Sequence, residues 1–148
     1  MINQNVMQEV KQFAEEYNTR PIWRDEAFPG YRFQPMVMTD SEGRQKEWEA
    51  YKIYFVMAMN DIPLTHCEVS LDDLIITQEY VYEKRVKEYL SGRRCDDPPI
   101  VWEWRGELYL ADGHHRSAAK LWQGNKTIEA MVHHLPDRLP TNSWRFRR

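Results

Sequence analysis

The sequence predicts an α+β protein, a small mixed β-sheet flanked by helices, with an added N-terminal helical segment. Three observations point there. Helical and strand-like apolar spacings alternate between His66 and Leu135. A hairpin signal, Arg105-Gly106-Glu107, separates two runs of strand composition. A strand-like run then ends in Asp112-Gly113 and passes directly into a helical stretch that closes at Gly124.

Taken in order, Val6, Val10, Phe13, Ala14 and Tyr17 recur at helical spacing and predict an amphipathic helix over 5–17. Arg20 to Gly43 is rich in turn formers and aromatics and reads as irregular, with a short strand over Phe33 to Met38. Trp48, Tyr51, Phe55 and Met59 form one stripe and predict a helix over Gln45 to Met59, stopped at Asp61-Ile62-Pro63. His66 to Val69 reads as a strand leading into Ser70-Leu71-Asp72-Asp73-Leu74. Tyr82 to Leu90 has helical spacing and ends at Ser91-Gly92, where glycine can take the left-handed conformation. After a turn at Asp96-Asp97-Pro98-Pro99 come strands over Ile100 to Trp104 and Leu108 to Leu110, a helix over His114 to Gln123 and a strand over Thr127 to Val132. The second half thus runs β-α-β-β-α-β.

At 148 residues the chain fits one domain: an extension over 1–65, a core over 66–135 and a basic tail over 136–148. With 42% hydrophobic and 13% aromatic residues it can bury a core, which excludes global disorder. The longest apolar stretch, Ile53 to Met59, is far short of the ~20 residues of a membrane span, and Met1-Ile2-Asn3-Gln4-Asn5 lacks the blocks of a signal peptide. A soluble cytoplasmic protein with no membrane contact is expected. Cys67 and Cys95 make neither a disulfide framework nor a CxxC pair and read as reduced thiols. A net charge of −3 excludes a polyelectrolyte that binds nucleic acid with its whole surface. The tail Trp144-Arg145-Phe146-Arg147-Arg148 alone has the basic-aromatic composition that suits nucleic acid or an acidic partner; its plainer reading is a frayed terminus.

The strand–Gly–helix junction carries the chemistry. A helix start leaves four backbone N–H groups without intrahelical partners and bears about half a positive charge. Gly113 allows close backbone approach, Arg116 offers a planar fork of donors for phosphate oxygens, and His114 and His115 add ring N–H donors. An anion at this corner is therefore expected to rest mainly on main-chain N–H groups. Two plainer readings stay open: Asp112 capping the helix, and Arg116 pairing with a carboxylate such as Glu107.

The run from Pro98-Pro99-Ile100 through Asp112-Gly113-His114-His115-Arg116-Ser117-Ala118-Ala119, followed by Ile128 to Val132, resembles the ParB/sulfiredoxin superfamily. The resemblance covers a little under half of the chain, and Val69 to Leu74 with the helix around Val86 fits the superfamily's opening β-α unit. It implies a ParB/sulfiredoxin-like fold that binds nucleotide phosphate, ATP or CTP, with Mg²⁺ held mainly by the phosphates. Gly113, His115 and Arg116 match the phosphate-contacting part of the motif, with Asp112, His114 and Ser117 beside them. Arg85, or its neighbour Lys84, falls near a basic position on the preceding helix. The departures are informative. His114 stands where sulfiredoxins carry a nucleophilic cysteine, so peroxiredoxin repair is not expected. His114-His115 replaces the Glu-Arg pair of the CTP-dependent partition proteins, and too few residues follow Val132 for a helix-turn-helix DNA reader.

Among the other polar residues, His114, His115 and Glu83 are the catalytic candidates, for acid–base work or positioning water, with Glu79, Asp72 and Asp73 as rivals whose plainer reading is a solvated or capping carboxylate. Adjacent residues at a helix start point in different directions, so no direct metal ligation by both His114 and His115 is expected. His133 and His134, at the end of a strand, read as loop histidines, and Trp102, Trp104, Tyr109 and Trp122 as core rather than a base-stacking surface. The functional expectation is a ParB-like NTP hydrolase or nuclease. The alternatives are a non-catalytic protein- or nucleic-acid-binding module on the same fold and a small-molecule (amino-acid) kinase. A homodimer through the aromatic N-terminal half is a further expectation.

Overall fold

The sequence's hairpin signal becomes the centre of the main sheet. In a computed structural model describing residues 4–16, 18–35, 37–39, 42–47, 62–93 and 98–138, β7 (Ile100–Trp104) and β8 (Glu107–Asp112) pair antiparallel. They turn through Arg105 (φ +51°) and Gly106 (φ +78°), the left-handed pair that such a two-residue hairpin requires. On one side, β9 (Thr127–His134) lies parallel to β7 and antiparallel to β4 (Leu64–Ser70). On the other side, β5 (Leu74–Ile76) lies parallel to β8. The order β4-β9-β7-β8-β5 is a mixed five-stranded sheet. Helices α3 (Glu83–Leu90) and α4 (His114–Trp122) pack against one another, and together with the sheet they make the α+β architecture expected above.

Period-two alternation gives the sheet two buried faces. The first brings Val101, Leu110 and Val132 together with Val86 of α3 and Ala118 and Ala119 of α4. The second is aromatic: Ile75, Ile100, Trp102, Trp104 and Tyr109 cluster there. Trp102 and Trp104 occupy one face as alternation predicts, with 0% and 6% of their surface exposed, and serve as core. Trp122 departs from that set: it is 39% exposed at the end of α4, its indole N–H donating to the carbonyl of Ala27.

The expected amphipathic helix is present as α1 (Gln4–Glu16), while several other expectations are corrected. The irregular stretch contains β1 (Pro21–Trp23), which pairs antiparallel with β6 (Tyr80–Tyr82), and the single turn α2 (Arg24–Ala27). The strand over Phe33 to Met38 is split: Phe33 makes a lone bridge to Ile76, and β2 covers Val37–Thr39. Pro35, between them, has no N–H to give to a ladder. Gln45–Glu47 is β3, paired antiparallel with β2, and not the start of a helix. These three residues precede the apolar stripe that suggested the helix, and the chain turns back just before them near Gly43 (φ +81°). The remainder of that helix, Trp48 to Met59, lies outside the described residues, as do Cys95 and residues 139–148 of the tail. His133 and His134 stand at the end of a strand as the sequence suggests, because β9 continues two residues past Val132 along both of its neighbours.

Candidate phosphate-binding corner at the start of α4

Strand β8 enters α4 through Gly113, whose φ of +101° is left-handed and strained for any residue with a side chain. A Cβ at this position would lie 2.8 Å from Cβ of Pro99. Glycine is thus required by the chain's own packing, whether or not a ligand approaches. Gly113 is the N-cap residue and has no side chain with which to cap the helix. Asp112, the capping residue the sequence offered, precedes the N-cap position and is exposed. Ser117 N–H donates to the Gly113 carbonyl at 2.9 Å and closes the first turn.

The two histidines take roles that spacing could not foretell. His114 is 1% exposed. Its Nε2 accepts hydrogen bonds from the backbone N–H of Thr77 at 3.1 Å and of Gln78 at 3.3 Å. A ring nitrogen that accepts carries no proton, so the imidazole is neutral with its hydrogen on Nδ1. Burial, helped by the nearby His115, holds its pKa down at about 3. Nδ1 and the hydroxyl of Ser117 are both buried and have no partner among the described residues. His115 accepts the backbone N–H of Tyr82 at 3.0 Å through Nε2, and its ring stacks on that of Tyr82 at 6.1 Å between centroids. Nε2 of each ring is therefore an acceptor engaged inside the fold, where the sequence suggested donation to an anion. Together the rings hold three N–H groups of the 77–82 segment, between β5 and α3, onto the start of α4. Thr77 fastens the same segment to β8, its hydroxyl donating to the Leu110 carbonyl at 2.7 Å.

The remaining predicted residues are partly assembled. Arg116 is half-buried on the first turn of α4. Glu107, the partner suggested for it, instead pairs with Arg32 at 2.9 Å. Lys84 and Arg85 are exposed on the first turn of the neighbouring α3. The backbone N–H of Lys84 is taken by the Thr19 hydroxyl at 3.0 Å. Because Tyr82 is the N-cap of α3 and His115 belongs to the first turn of α4, the N-termini of both helices converge. The start of α3 thus lies beside the start of α4, which carries Arg116, while Lys84 lines a separate surface hollow with Thr19, Lys87 and Glu88.

Glu83, the carboxylate among the catalytic candidates, binds Arg20 at 2.7 Å and Lys87 at 3.4 Å. The hydrogen bond from Arg20 leads in holding its pKa below the ordinary glutamate value, which weakens it as a base. Asp72 and Asp73 sit in the 3₁₀ turn Leu71–Asp73, exposed and on another part of the surface. Among the described residues, no three His, Cys, Asp or Glu side chains converge in a geometry that would hold a metal. No helix among them is long and apolar enough to cross a membrane.

A family model matches residues 39–137, two thirds of the chain, and it describes VapB-like antitoxins. The chain belongs to the VapB-like antitoxin family. The matching model is not a ParB one. No curated protein matches the sequence. Among solved structures, the chain is similar to sulfiredoxin from Arabidopsis thaliana at 21% identity, over 55% of this chain and 94% of that one, with a TM-score of 0.40. The mixed sheet described above rests on its own strand registers.

Proposed function

We propose that this protein works by binding, as an antitoxin that engages and silences a toxin protein, and that it does not turn over a substrate. Membership of the VapB-like antitoxin family carries this reading. The chemistry of the α4 corner supports it, because both motif histidines use Nε2 to hold neighbouring backbone and the carboxylate at the start of α3 is tied up in ion pairs. The test is co-expression with the cognate toxin. Growth is rescued and the two proteins co-purify at fixed stoichiometry. A toxin that remains fully active beside saturating amounts of this chain would refute the reading.

One observation favours a second reading at the same corner. The N-cap residue of α4 is a glycine with no side chain of its own, and Arg116 stands on the first turn beside it. In this reading a nucleotide phosphate rests on the N–H groups of His114 to Arg116 and in the fork of Arg116. Lys84 or Arg85 reaches it from α3, and Mg²⁺ is held by the phosphates of ATP or CTP. NTP hydrolysis, nuclease action and transfer to an amino acid would each need in addition a base that positions water or a hydroxyl. Isothermal titration with ATP, CTP and a short DNA, comparing the native chain with Arg116→Ala, decides it. Saturable heat from one ligand, lost in the variant, supports nucleotide binding, and no heat from any of them ends it.

A further inference from the structure

The two edges of the main sheet are treated differently. At the β5 edge, the chain closes its own ladder: Ile76 N–H donates to the Arg32 carbonyl, Gln34 N–H donates to the Ile76 carbonyl, both at 2.9 Å, and Phe33 bridges Ile76. At the other edge, β4 pairs through all seven residues with β9 on its inner side. The hydrogen bonds flanking that ladder fix which groups face which way. His134 N–H donates to the Pro63 carbonyl and Leu71 N–H to the Lys126 carbonyl. Odd-numbered residues of β4 therefore turn their backbone groups toward β9. Leu64, His66, Glu68 and Ser70 turn theirs outward. Among the described residues nothing bonds to those outward groups.

An open edge usually carries a device that blunts it: a proline, a bulge, a lysine or very short length. Leu64-Thr65-His66-Cys67-Glu68-Val69-Ser70 has no proline or lysine, and its register with β9 is unbroken. It is also held firmly in place. The Thr65 hydroxyl lies 2.8 Å from Nε2 of His134, whose Nδ1 lies 3.0 Å from the Glu103 carboxylate, linking β4, β9 and β7 in one row.

We infer that β4 pairs antiparallel with β4 of a second copy of this chain, about a two-fold axis at Cys67, so that the sheet runs on through a homodimer. The charges select that register. Three two-fold pairings place outward groups opposite one another near the strand centre. The pairing centred on His66 sets His66 against itself, and the one centred on Glu68 sets two carboxylates together. Only the pairing centred on Cys67 places His66 opposite Glu68 of the partner subunit, and does so twice. Glu68 faces Glu129 directly across the β4–β9 ladder, both carboxylates exposed; within the chain the Thr127 hydroxyl donates to Glu68 and His66 Nε2 lies 4.0 Å from the Glu129 carboxylate. The partner's His66 adds a further donor beside Glu68. In the same register Leu64, 47% exposed, packs beside Ser70 of the partner subunit. The two Cys67 residues meet as a non-hydrogen-bonded pair with Cα atoms ~4.5 Å apart, inside the disulfide range of roughly 4.4–6.8 Å. This inference does not rest on the antitoxin reading.

The test uses the full chain. Sedimentation analysis gives a dimer. With Cys95→Ser leaving Cys67 as the one cysteine, mild oxidation converts that dimer to a covalent one on a non-reducing gel. His66→Pro removes an outward N–H and blocks the edge while leaving the β9 ladder whole, since an edge strand tolerates proline where its N–H faces solvent. It weakens dimerisation by at least about tenfold with an unchanged circular dichroism spectrum. Should that variant fail to fold, the charges decide. His66→Glu alone weakens the dimer, and His66→Glu combined with Glu68→Lys restores it. A native chain that stays monomeric at high concentration overturns the inference, as does a dimer indifferent to the charge changes or one whose Cys67 residues do not cross-link. So does protection of the β4 amides that appears only when a different protein is bound.

Discussion

Replacing His114 with glutamine keeps an acceptor near the N–H groups of Thr77 and Gln78 while removing the only titrating atom at that place, so the comparison isolates one ionisation. The sign follows from the depressed pKa. The folded ring stays neutral down to about pH 3, whereas the unfolded ring takes up a proton near its ordinary value of 6.5. The neutral buried ring therefore contributes stability that is present above the unfolded pKa and is lost progressively as the pH falls from about 6.5 toward 3. One pKa unit corresponds to about 1.4 kcal/mol. Between pH 7 and pH 4.5 the native protein is thus expected to lose roughly 2–3 kcal/mol more than the variant. His133, whose pKa burial also lowers, and Glu83 add acid sensitivity of the same sign. They remain in both proteins and cancel in the difference. Urea denaturation at several pH values measures both curves. Converging curves, with the variant's disadvantage shrinking as the pH falls, support the account. Parallel curves would refute it, showing that this ring titrates alike folded and unfolded.

Gly113→Ala brings both a left-handed alanine and a Cβ 2.8 Å from Pro99; chemical denaturation should show a loss of about 3 kcal/mol, and a loss under 1 kcal/mol would mean the corner is looser than described. Val86→Ala empties a fully buried site between α3 and the sheet and should cost about 2 kcal/mol in the same assay. Arg20→Ala removes the main cause of the low Glu83 pKa. The Glu83 carboxyl should then titrate at higher pH by NMR, so the stability that this carboxylate supplies above its unfolded pKa shrinks, and an unmoved titration would deny the ion pair.

The elements legible in the sequence were those whose signals are local. β7, the Arg105-Gly106 turn, β8, α4 and β9 lie close to where alternation, a glycine turn and helical spacing put them, because each signal spans only a few neighbouring residues. Strand β5 was missed because Leu74-Ile75-Ile76 is buried on both faces and shows no alternation, only a three-residue apolar run. β1 and β6 were missed because each is three residues long and takes its shape from a partner about sixty residues away. β3 was absorbed into a helical stripe that begins just after it. At the site, the helix start and its glycine were readable, but the work of the histidines was not. Their acceptor roles depend on N–H groups of residues 77–82, more than thirty positions upstream, and no spacing within Asp112 to Arg116 encodes that meeting. The obligation of Gly113 to Pro99 was hidden in the same way.

Long-range nitrogen–proton correlation spectroscopy of the imidazoles at neutral pH tests most directly whether the motif histidines are internal acceptors. The account predicts that His114 and His115 both carry their hydrogen on Nδ1 with bare Nε2, and that the His114 ring shows no titration near its ordinary pKa. A proton on Nε2 of either ring, or a His114 that titrates as a free imidazole does, would contradict it.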